Sequence, residues 1–134
     1  MEERFKSAVC VDLILKDNNK LLLMFHHGEY ELPGGHLEDD EDLYEAMIRE
    51  SQEELLINLT REELKIVQIF HHYNGNRINF IFEANLNNHK PQIGEKDKCE
   101  ELKWVEINNL PEKINPKMKQ IIENVVNNIN YDKL

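Results

Sequence analysis

Apolar and polar positions alternate along the chain in a pattern that predicts a sheet with two helices. Six short segments have the composition of β-strands: 8–15, 21–25, 29–32, 66–73, 77–86 and 102–105. The first two flank a polar turn, which predicts a hairpin. Asn74-Gly75-Asn76 lies between the two longest later segments and predicts a second hairpin. The stretches 33–35 and 87–100 are predicted to be loops.

Two further segments have the hydrophobic spacing of amphipathic helices. Residues 41–55 lack Pro and Gly and are rich in Glu, Leu, Ala, Met and Arg, which favours a helix. At about 100° per residue, one side collects the positions expected to face the core: Tyr44, Met47, Ile48, Ser51 and Leu55. A second helix is predicted to start at Asn115 and Pro116 and to bury apolar positions up to Ile129. This order of elements predicts an α/β or α+β sandwich.

Composition supports one ordinary globular domain. The 134 residues are 40% hydrophobic and 31% charged, and no apolar run approaches the roughly 18 residues of a membrane span. The first residues do not combine a basic segment with an apolar stretch, so we expect no secretory signal and a cytoplasmic location. Cys10 and Cys99 lie far apart in sequence and are predicted to be ordinary thiols.

The negative charge is concentrated in one part of the chain. The formal net charge is -10, and residues 34–57 contain nine acids and one base, a local balance of -8. Such a segment repels nucleic acid polymers and attracts divalent cations. Binding of DNA or RNA by a basic surface is therefore disfavoured.

Three carboxylates of the first predicted helix fall on one patch. Glu50, Glu53 and Glu54 are spaced i, i+3 and i+4, where like charges repel each other. A hard divalent cation would offset this repulsion, and Mg²⁺ usually takes one or two protein carboxylates together with waters and substrate phosphates. The cluster therefore indicates hydrolysis of a phosphate compound. For the three glutamates alone, a solvated helix surface is the competing interpretation.

The spacing around these glutamates resembles the signature of the Nudix hydrolase family, G-x5-E-x7-R-E-U-x-E-E-x-G-U, where U is bulky and aliphatic. The catalytically relevant positions are all present: Gly35, Glu41, Arg49, Glu50, Glu53 and Glu54. Ile57 fills the last U, and Leu32-Pro33-Gly34 is similar to the segment that often precedes the signature. The resemblance implies a single Nudix hydrolase domain over residues 1–134, with its box at 35–57, folded as an α/β/α sandwich around a mixed β-sheet.

Two positions depart from that signature. Ser51 replaces an aliphatic residue on the predicted buried side, so its hydroxyl is expected to hydrogen-bond locally. Leu56 replaces the glycine that would end the helix in a left-handed conformation. The helix is therefore expected to run on, with Asn58 as a tolerable left-handed residue.

The family resemblance also implies roles for the acidic cluster. Glu50 and Glu54 would be ligands of Mg²⁺ or Mn²⁺, and Glu53 would be a ligand or the catalytic base. Arg49 would orient a glutamate through a salt bridge, or would equally be an exposed helix charge. Many members add an acid from a later loop, for which Glu95 is the first candidate. Asp97 and Glu100 are the alternatives.

Substrate contacts are predicted for six residues: Gly34, Gly35, Glu38, Tyr30, Arg77 and Trp104. The two aromatic residues could stack on a base, although aromatics in strands lie more often in the core. Arg77 could reach a phosphate and is equally plausible as a solvated charge.

The implied reaction is metal-dependent hydrolysis of a pyrophosphate linkage in a nucleoside diphosphate linked to another group X. A nucleoside triphosphate is the first substrate expectation, because the chain is compact. ADP-ribose and dinucleoside polyphosphates are the alternatives, and a non-catalytic nucleotide-sensing module is the competing class. Apart from this small substrate, no nucleic acid or membrane partner is expected, and a homodimer stays open.

Overall fold

The computed structural model describes residues 6–133 as eight strands, two helices and a short 3-10 turn. The strands are β1 Ala8–Asp17, β2 Lys20–His26, β3 Glu29–Glu31, β4 Gly34–His36, β5 Lys65–His72, β6 Arg77–Asn85, β7 Glu101–Glu106 and β8 Tyr131–Lys133. The helices are α1 Leu43–Leu55 and α2 Pro116–Val126, and the 3-10 turn spans Arg61–Glu63.

The eight strands form one mixed sheet. Its main order is β3-β2-β1-β6-β5-β8, with β4 paired to β1 and β7 paired to β2. Strands β1 and β6 run parallel over nine residue pairs, as do β5 and β8 over three, whereas the other pairings are antiparallel. Strand β1 pairs with β2 only near their turn and with β4 at the Cys10–Asp12 end. Strand β4 is thereby held beside the centre of the sheet.

Each side of the sheet carries one helix over its own apolar core. Alternate residues of β1 point to opposite sides, so Leu13 packs in the core beneath α1 and Ile14 in the core beneath α2. Met47 and Leu55 of α1 are fully buried in the first core. Ile121 and Ile122 of α2 are fully buried in the second core. The predicted α/β/α sandwich is confirmed.

Both predicted hairpins are present, with β1–β2 and β5–β6 paired antiparallel. The first helix begins later than predicted, because Asp42 caps it: the Asp42 side chain accepts from the Glu45 amide, and the Glu45 side chain accepts from the Asp42 amide. Ser51 is fully buried, and its hydroxyl donates to the carbonyls of Met47 and Ile48, as expected for a local hydrogen bond.

Three local predictions were wrong, and one strand was missed. Residues Gly34 and Gly35 lie in strand β4 rather than in a loop, because they pair with β1. Helix α1 does not run on past Leu56, which itself takes the left-handed conformation with φ 55°. Helix α2 ends at Val126, and Ile129 is exposed. The short strand β8 was not predicted, because its pairing with β5 depends on distant residues.

Candidate active site

Arg49 is the centre of an ionic network on the outer side of α1. Its Nε and Nη2 donate to the two Glu41 oxygens at 3.0 and 2.8 Å, and its Nη1 donates to Glu50 and Glu53 at 2.9 and 2.8 Å. The Nη2 group also donates to the His36 carbonyl at 2.9 Å. Because guanidinium is a rigid planar fork, one side chain fixes three carboxylates and strand β4 together.

The ionic network shifts the pKa values of Glu41 and Arg49 so that each keeps its charge. The hydrogen bond from Arg49 lowers the pKa of Glu41 below its ordinary value. Glu41 and the other carboxylates raise the pKa of Arg49 in return, so that its charge is permanent. Glu38 lies at the edge of this network, with its carboxylate 3.6 Å from Arg49 and its backbone amide donating to Glu41.

Strand β4 approaches α1 closely because it begins with two glycines. The Gly34 amide donates to Glu54 Oε1 at 2.7 Å. A Cβ on Gly35 would overlap the Glu50 carboxylate, and one on Gly34 would overlap the Val11 carbonyl oxygen of β1. A side chain at Gly34 would meet the β1 backbone, and one at Gly35 would displace the Glu50 carboxylate. The two glycines therefore set where the Glu54 and Glu50 carboxylates stand.

Glu54 is not on an exposed acidic surface, as the helix spacing suggested, but is only 6% exposed. Burial, followed by repulsion from Glu50, raises the pKa of the Glu54 carboxyl to about 8. Burial also raises the pKa of Glu50, against the effect of its Arg49 hydrogen bond. Two neighbouring carboxylates are thus held where their negative charge is unfavourable without a further cation.

The loop after β6 delivers Glu95 to this pair. The amides of Gln92 and Gly94 donate to the carbonyls of Leu55 and Glu54, both at 2.9 Å, and so bind the loop to the C-terminal end of α1. The Glu95 charge is among the causes that raise the pKa of both Glu50 and Glu54. Its carboxylate also lies 3.5 Å from the Lys98 ammonium.

The other two candidate acids have different surroundings. Glu100 donates its backbone amide to the Phe25 carbonyl at 2.8 Å, and its side chain is exposed. Asp97 is exposed in the same loop and acts on the pKa of Lys98. Glu95 is therefore the acid that this geometry favours as a partner of the helix glutamates.

A cleft of about 190 Å³ opens beside Gly34, Gly35 and Glu54 and runs toward the start of α2. Arg77, at the start of β6, lines it, as do three residues that the sequence pattern did not single out: Asp12, His72 and Asn79. Burial raises the pKa of the Asp12 carboxyl to about 7, against the hydrogen bond from Asn79 and the charge of Arg77. These residues were missed because each lies within a segment identified by its apolar neighbours.

A model of the NUDIX domain family matches residues 4–125. The chain belongs to the Nudix family. No match was found among curated proteins.

Solved structures agree with this Nudix assignment. A MutT NUDIX hydrolase from Burkholderia pseudomallei is 24% identical with a TM-score of 0.77, covering 88% of this chain and 97% of that one. MutT from Aliivibrio salmonicida and Vibrio cholerae gives 23% identity and a TM-score of 0.74, with 90% and 96% covered. At these identities the likeness shows the fold.

A third similar structure belongs to a larger protein. The bifunctional NMN adenylyltransferase/ADP ribose pyrophosphatase from Francisella tularensis, complexed with AMP and a Mn ion, is 26% identical with a TM-score of 0.70. The alignment covers 96% of this chain and 44% of that protein. The Nudix chain described here is a hydrolase that acts on pyrophosphate bonds in nucleoside diphosphate derivatives, in a family that generally uses divalent metal ions.

The carboxylates of this Nudix chain fit a divalent cation by their chemistry. Within residues 6–133, no three His, Cys, Asp or Glu side chains are grouped so that they could hold a metal ion as they stand. Arg49 engages only one oxygen of Glu50 and one of Glu53, and Glu54 meets the Gly34 amide through one oxygen. Since Mg²⁺ takes few protein carboxylates and keeps waters, this open set of oxygen donors suits it.

Tyr30 and Trp104 pack against the two apolar cores. Tyr30 is 9% exposed in the core beneath α2, where its hydroxyl donates to Glu101 at 3.3 Å and its ring packs against Phe25. Trp104 is partly buried against the core beneath α1. Their predicted stacking on a base stays a prediction.

Other features of the described residues add little to the chemistry. Cys10 and Cys99 are both free and buried. Burial raises the pKa of the Cys10 thiol to about 11, which keeps it unreactive. No helix within residues 6–133 combines the length and the apolar character needed to cross a membrane.

Proposed function

We propose that the protein is a Mg²⁺-dependent nucleoside triphosphate pyrophosphohydrolase, releasing a nucleoside monophosphate and pyrophosphate. The observation that supports this most is the joint positioning of the helix glutamates: Arg49 holds Glu50 and Glu53, while the Gly34 amide holds Glu54. Such a preorganised acidic cluster suits phosphate chemistry, because catalysis there depends on charge neutralisation and positioning.

Within this proposal, each acid has a separate task. Glu50, Glu54 and Glu95 would hold the cation, and Glu53 would be a further ligand or would take the proton of the attacking water. When bound, the metal ion neutralises negative charge on the phosphate oxygens. Arg49 keeps the glutamates in place, and Arg77, which lines the adjoining cleft, faces the negatively charged part of the substrate.

The cleft has room for one base of the substrate. Pockets that enclose a whole drug-sized ligand measure about 300–1,000 Å³, whereas this one measures about 190 Å³. It can therefore enclose one base, and the rest of the nucleotide would lie outside it. ADP-ribose is the second candidate, because the 26% identical Francisella tularensis protein carries an ADP ribose pyrophosphatase activity in its name.

The test is hydrolysis of nucleoside triphosphates, ADP-ribose and dinucleoside polyphosphates with Mg²⁺, with Mn²⁺ and with EDTA. We expect metal-dependent turnover of triphosphates, reduced by orders of magnitude in Glu53→Gln with an unchanged melting temperature. Glu62→Gln is the matched control, because Glu62 is an exposed glutamate of the 3-10 turn. Near-normal turnover in Glu53→Gln would contradict its role.

Nucleotide binding without turnover in the wild type would instead support the sensing module. We disfavour that class because all the glutamates of the cluster are present. Arg49 binds Glu41, Glu50 and Glu53, and the Gly34 amide binds Glu54.

A further inference from the structure

Asp12 and Asn79 form a buried polar pair on the floor of the cleft. They lie on the neighbouring parallel strands β1 and β6, on the side of the sheet that faces α2. Asp12 is 5% exposed and Asn79 is 3% exposed, and the Asn79 amide nitrogen donates to Asp12 Oδ2 in a short hydrogen bond. Both side chains line the cleft beside Gly34.

The pair leaves hydrogen-bonding capacity unused at the cleft. Within the part of the chain that the structure describes, Asn79 Oδ1 is buried without a hydrogen-bond partner, as are His72 Nδ1 and Arg77 Nε. All three residues line the same cleft. A buried polar atom without a partner is unfavourable, so their convergence on one opening indicates a polar ligand that satisfies them.

The direction of the Asp12–Asn79 bond decides which ligand chemistry suits the floor. Because the Asn79 nitrogen is turned toward Asp12, its oxygen is the atom left for a ligand. Above the Asp12 pKa of about 7, its carboxylate and the Asn79 amide oxygen both accept hydrogen bonds and offer none. The part of the floor formed by Asp12 and Asn79 therefore suits a group that donates N–H bonds, whereas the Arg77 Nε–H suits an acceptor oxygen elsewhere on the same ligand.

We propose that Asp12 and Asn79 are specificity-determining residues that select a nucleobase with an exocyclic amino group. This inference rests on the proposed function, since it assigns the base of the substrate hydrolysed at the neighbouring glutamates. The proposed base site adjoins the phosphate site because Asp12 on β1 is the register partner of Gly34 on β4. The amide of Gly34 in turn holds Glu54.

The experiment compares nucleotides that differ in the amino group: CTP with UTP, and GTP with ITP. For the wild type we expect kcat/KM to be at least about tenfold higher for the amino-bearing member of each pair that is hydrolysed. Asn79→Leu removes the acceptor at nearly constant volume, so the ratio should fall to within about twofold of one. Melting temperature is measured in parallel.

Gln68→Leu is the matched control. Gln68 is a buried amide on strand β5, on the same side of the sheet, but it bonds the Ile121 carbonyl and Asn124 and does not line the cleft. We expect it to lose stability while keeping the wild-type kcat/KM ratio. If Asn79→Leu fails to fold, Asp12→Asn replaces it, because the new amide can donate to Asn79 Oδ1 and occupy the acceptor.

Two outcomes overturn the inference. In the first, the wild type shows no preference within either nucleotide pair. In the second, Asn79→Leu or Asp12→Asn is active and keeps the wild-type ratio of kcat/KM values. If the wild type hydrolyses nothing, the proposed function fails separately. Calorimetric binding of CMP against UMP and GMP against IMP, without metal, then decides the inference alone. Tighter binding of the amino-bearing nucleotide by at least about tenfold, lost in Asn79→Leu, supports it, and equal affinities overturn it.

Discussion

Gly94 offers a direct test of how the loop after β6 is attached to α1. Its amide donates to the Glu54 carbonyl at 2.9 Å. A Cβ at this position would overlap the Glu53 carbonyl oxygen and lie 3.0 Å from the Glu53 carbonyl carbon and 3.2 Å from that of Glu54. These are helix backbone atoms, which cannot rotate away as a side chain would. Gly94→Ala must therefore push the loop off the end of α1.

Three contributions decide how much Gly94→Ala lowers the free energy of unfolding. Overpacking of a close contact costs about 1–3 kcal/mol. Relief by lifting the loop would instead break the two bonds from Gln92 and Gly94, each worth about 0.5–1.5 kcal/mol. Alanine also reduces the conformational freedom of the unfolded chain relative to glycine, which stabilises the folded state by about 0.4–1 kcal/mol. We expect a net loss of about 1–2 kcal/mol, or roughly 3–8 °C in melting temperature for a domain of this size.

Gly94→Ala should reduce turnover strongly, although its loss of stability is small. Glu95 follows Gly94 directly, and a displacement of about 1 Å at a reacting centre can reduce turnover about 100-fold. Gly75→Ala is the control, because a Cβ there meets only the His72 Cβ at 3.4 Å, an ordinary contact in the β5–β6 turn. Thermal unfolding and kcat are measured on both variants. A Gly94→Ala variant with wild-type melting temperature and turnover would refute the close approach and the role assigned to this loop.

Two further predictions concern the ionic network and a buried histidine. Arg49→Lys keeps the charge but cannot reach Glu41, Glu50 and Glu53 at once, so kcat should fall about 10–100-fold with a small change in melting temperature; an unchanged kcat would contradict the positioning role. Burial lowers the pKa of His72 to about 4 from an ordinary value near 6.5. Between these values the unfolded chain binds the proton and the folded chain does not, so stability falls as the pH falls. From pH 7.5 to 5, urea unfolding should show the wild type losing about 1–2 kcal/mol more than His72→Gln; equal losses would contradict this account.

The spacing of residues within a single helix or hairpin predicted the features that depend on that element alone. The helical spacing of Glu50, Glu53 and Glu54 is a property of α1 alone, and so is the burial of Met47 and Leu55. The two hairpins were predictable for the same reason, because their turns join strands that are neighbours in sequence. These predictions needed no knowledge of which distant segments meet.

The errors arise where distant segments meet. Leu56 ends α1 with a positive φ although it is not glycine, at a point where the carbonyls of Glu54 and Leu55 accept bonds from the 92–94 stretch. The helical spacing of Glu54 did not predict its burial, which arises because β4 comes close enough for the Gly34 amide to reach it. Neither contact is visible in a helical projection.

The acidic cluster and the cleft floor lie on opposite sides of the sheet. The glutamates and Arg49 are carried by α1, whereas the cleft floor faces α2, and the residues between them are Gly34 and Asp12. The Gly34 amide donates to Glu54, and the Asn79 side chain donates to Asp12. The two sets of hydrogen bonds therefore meet where β4 pairs with β1, without sharing a side chain. On the proposed function, a substitution at Asn79 can therefore change the preferred base while the acidic cluster, and with it the pyrophosphate chemistry, stays assembled.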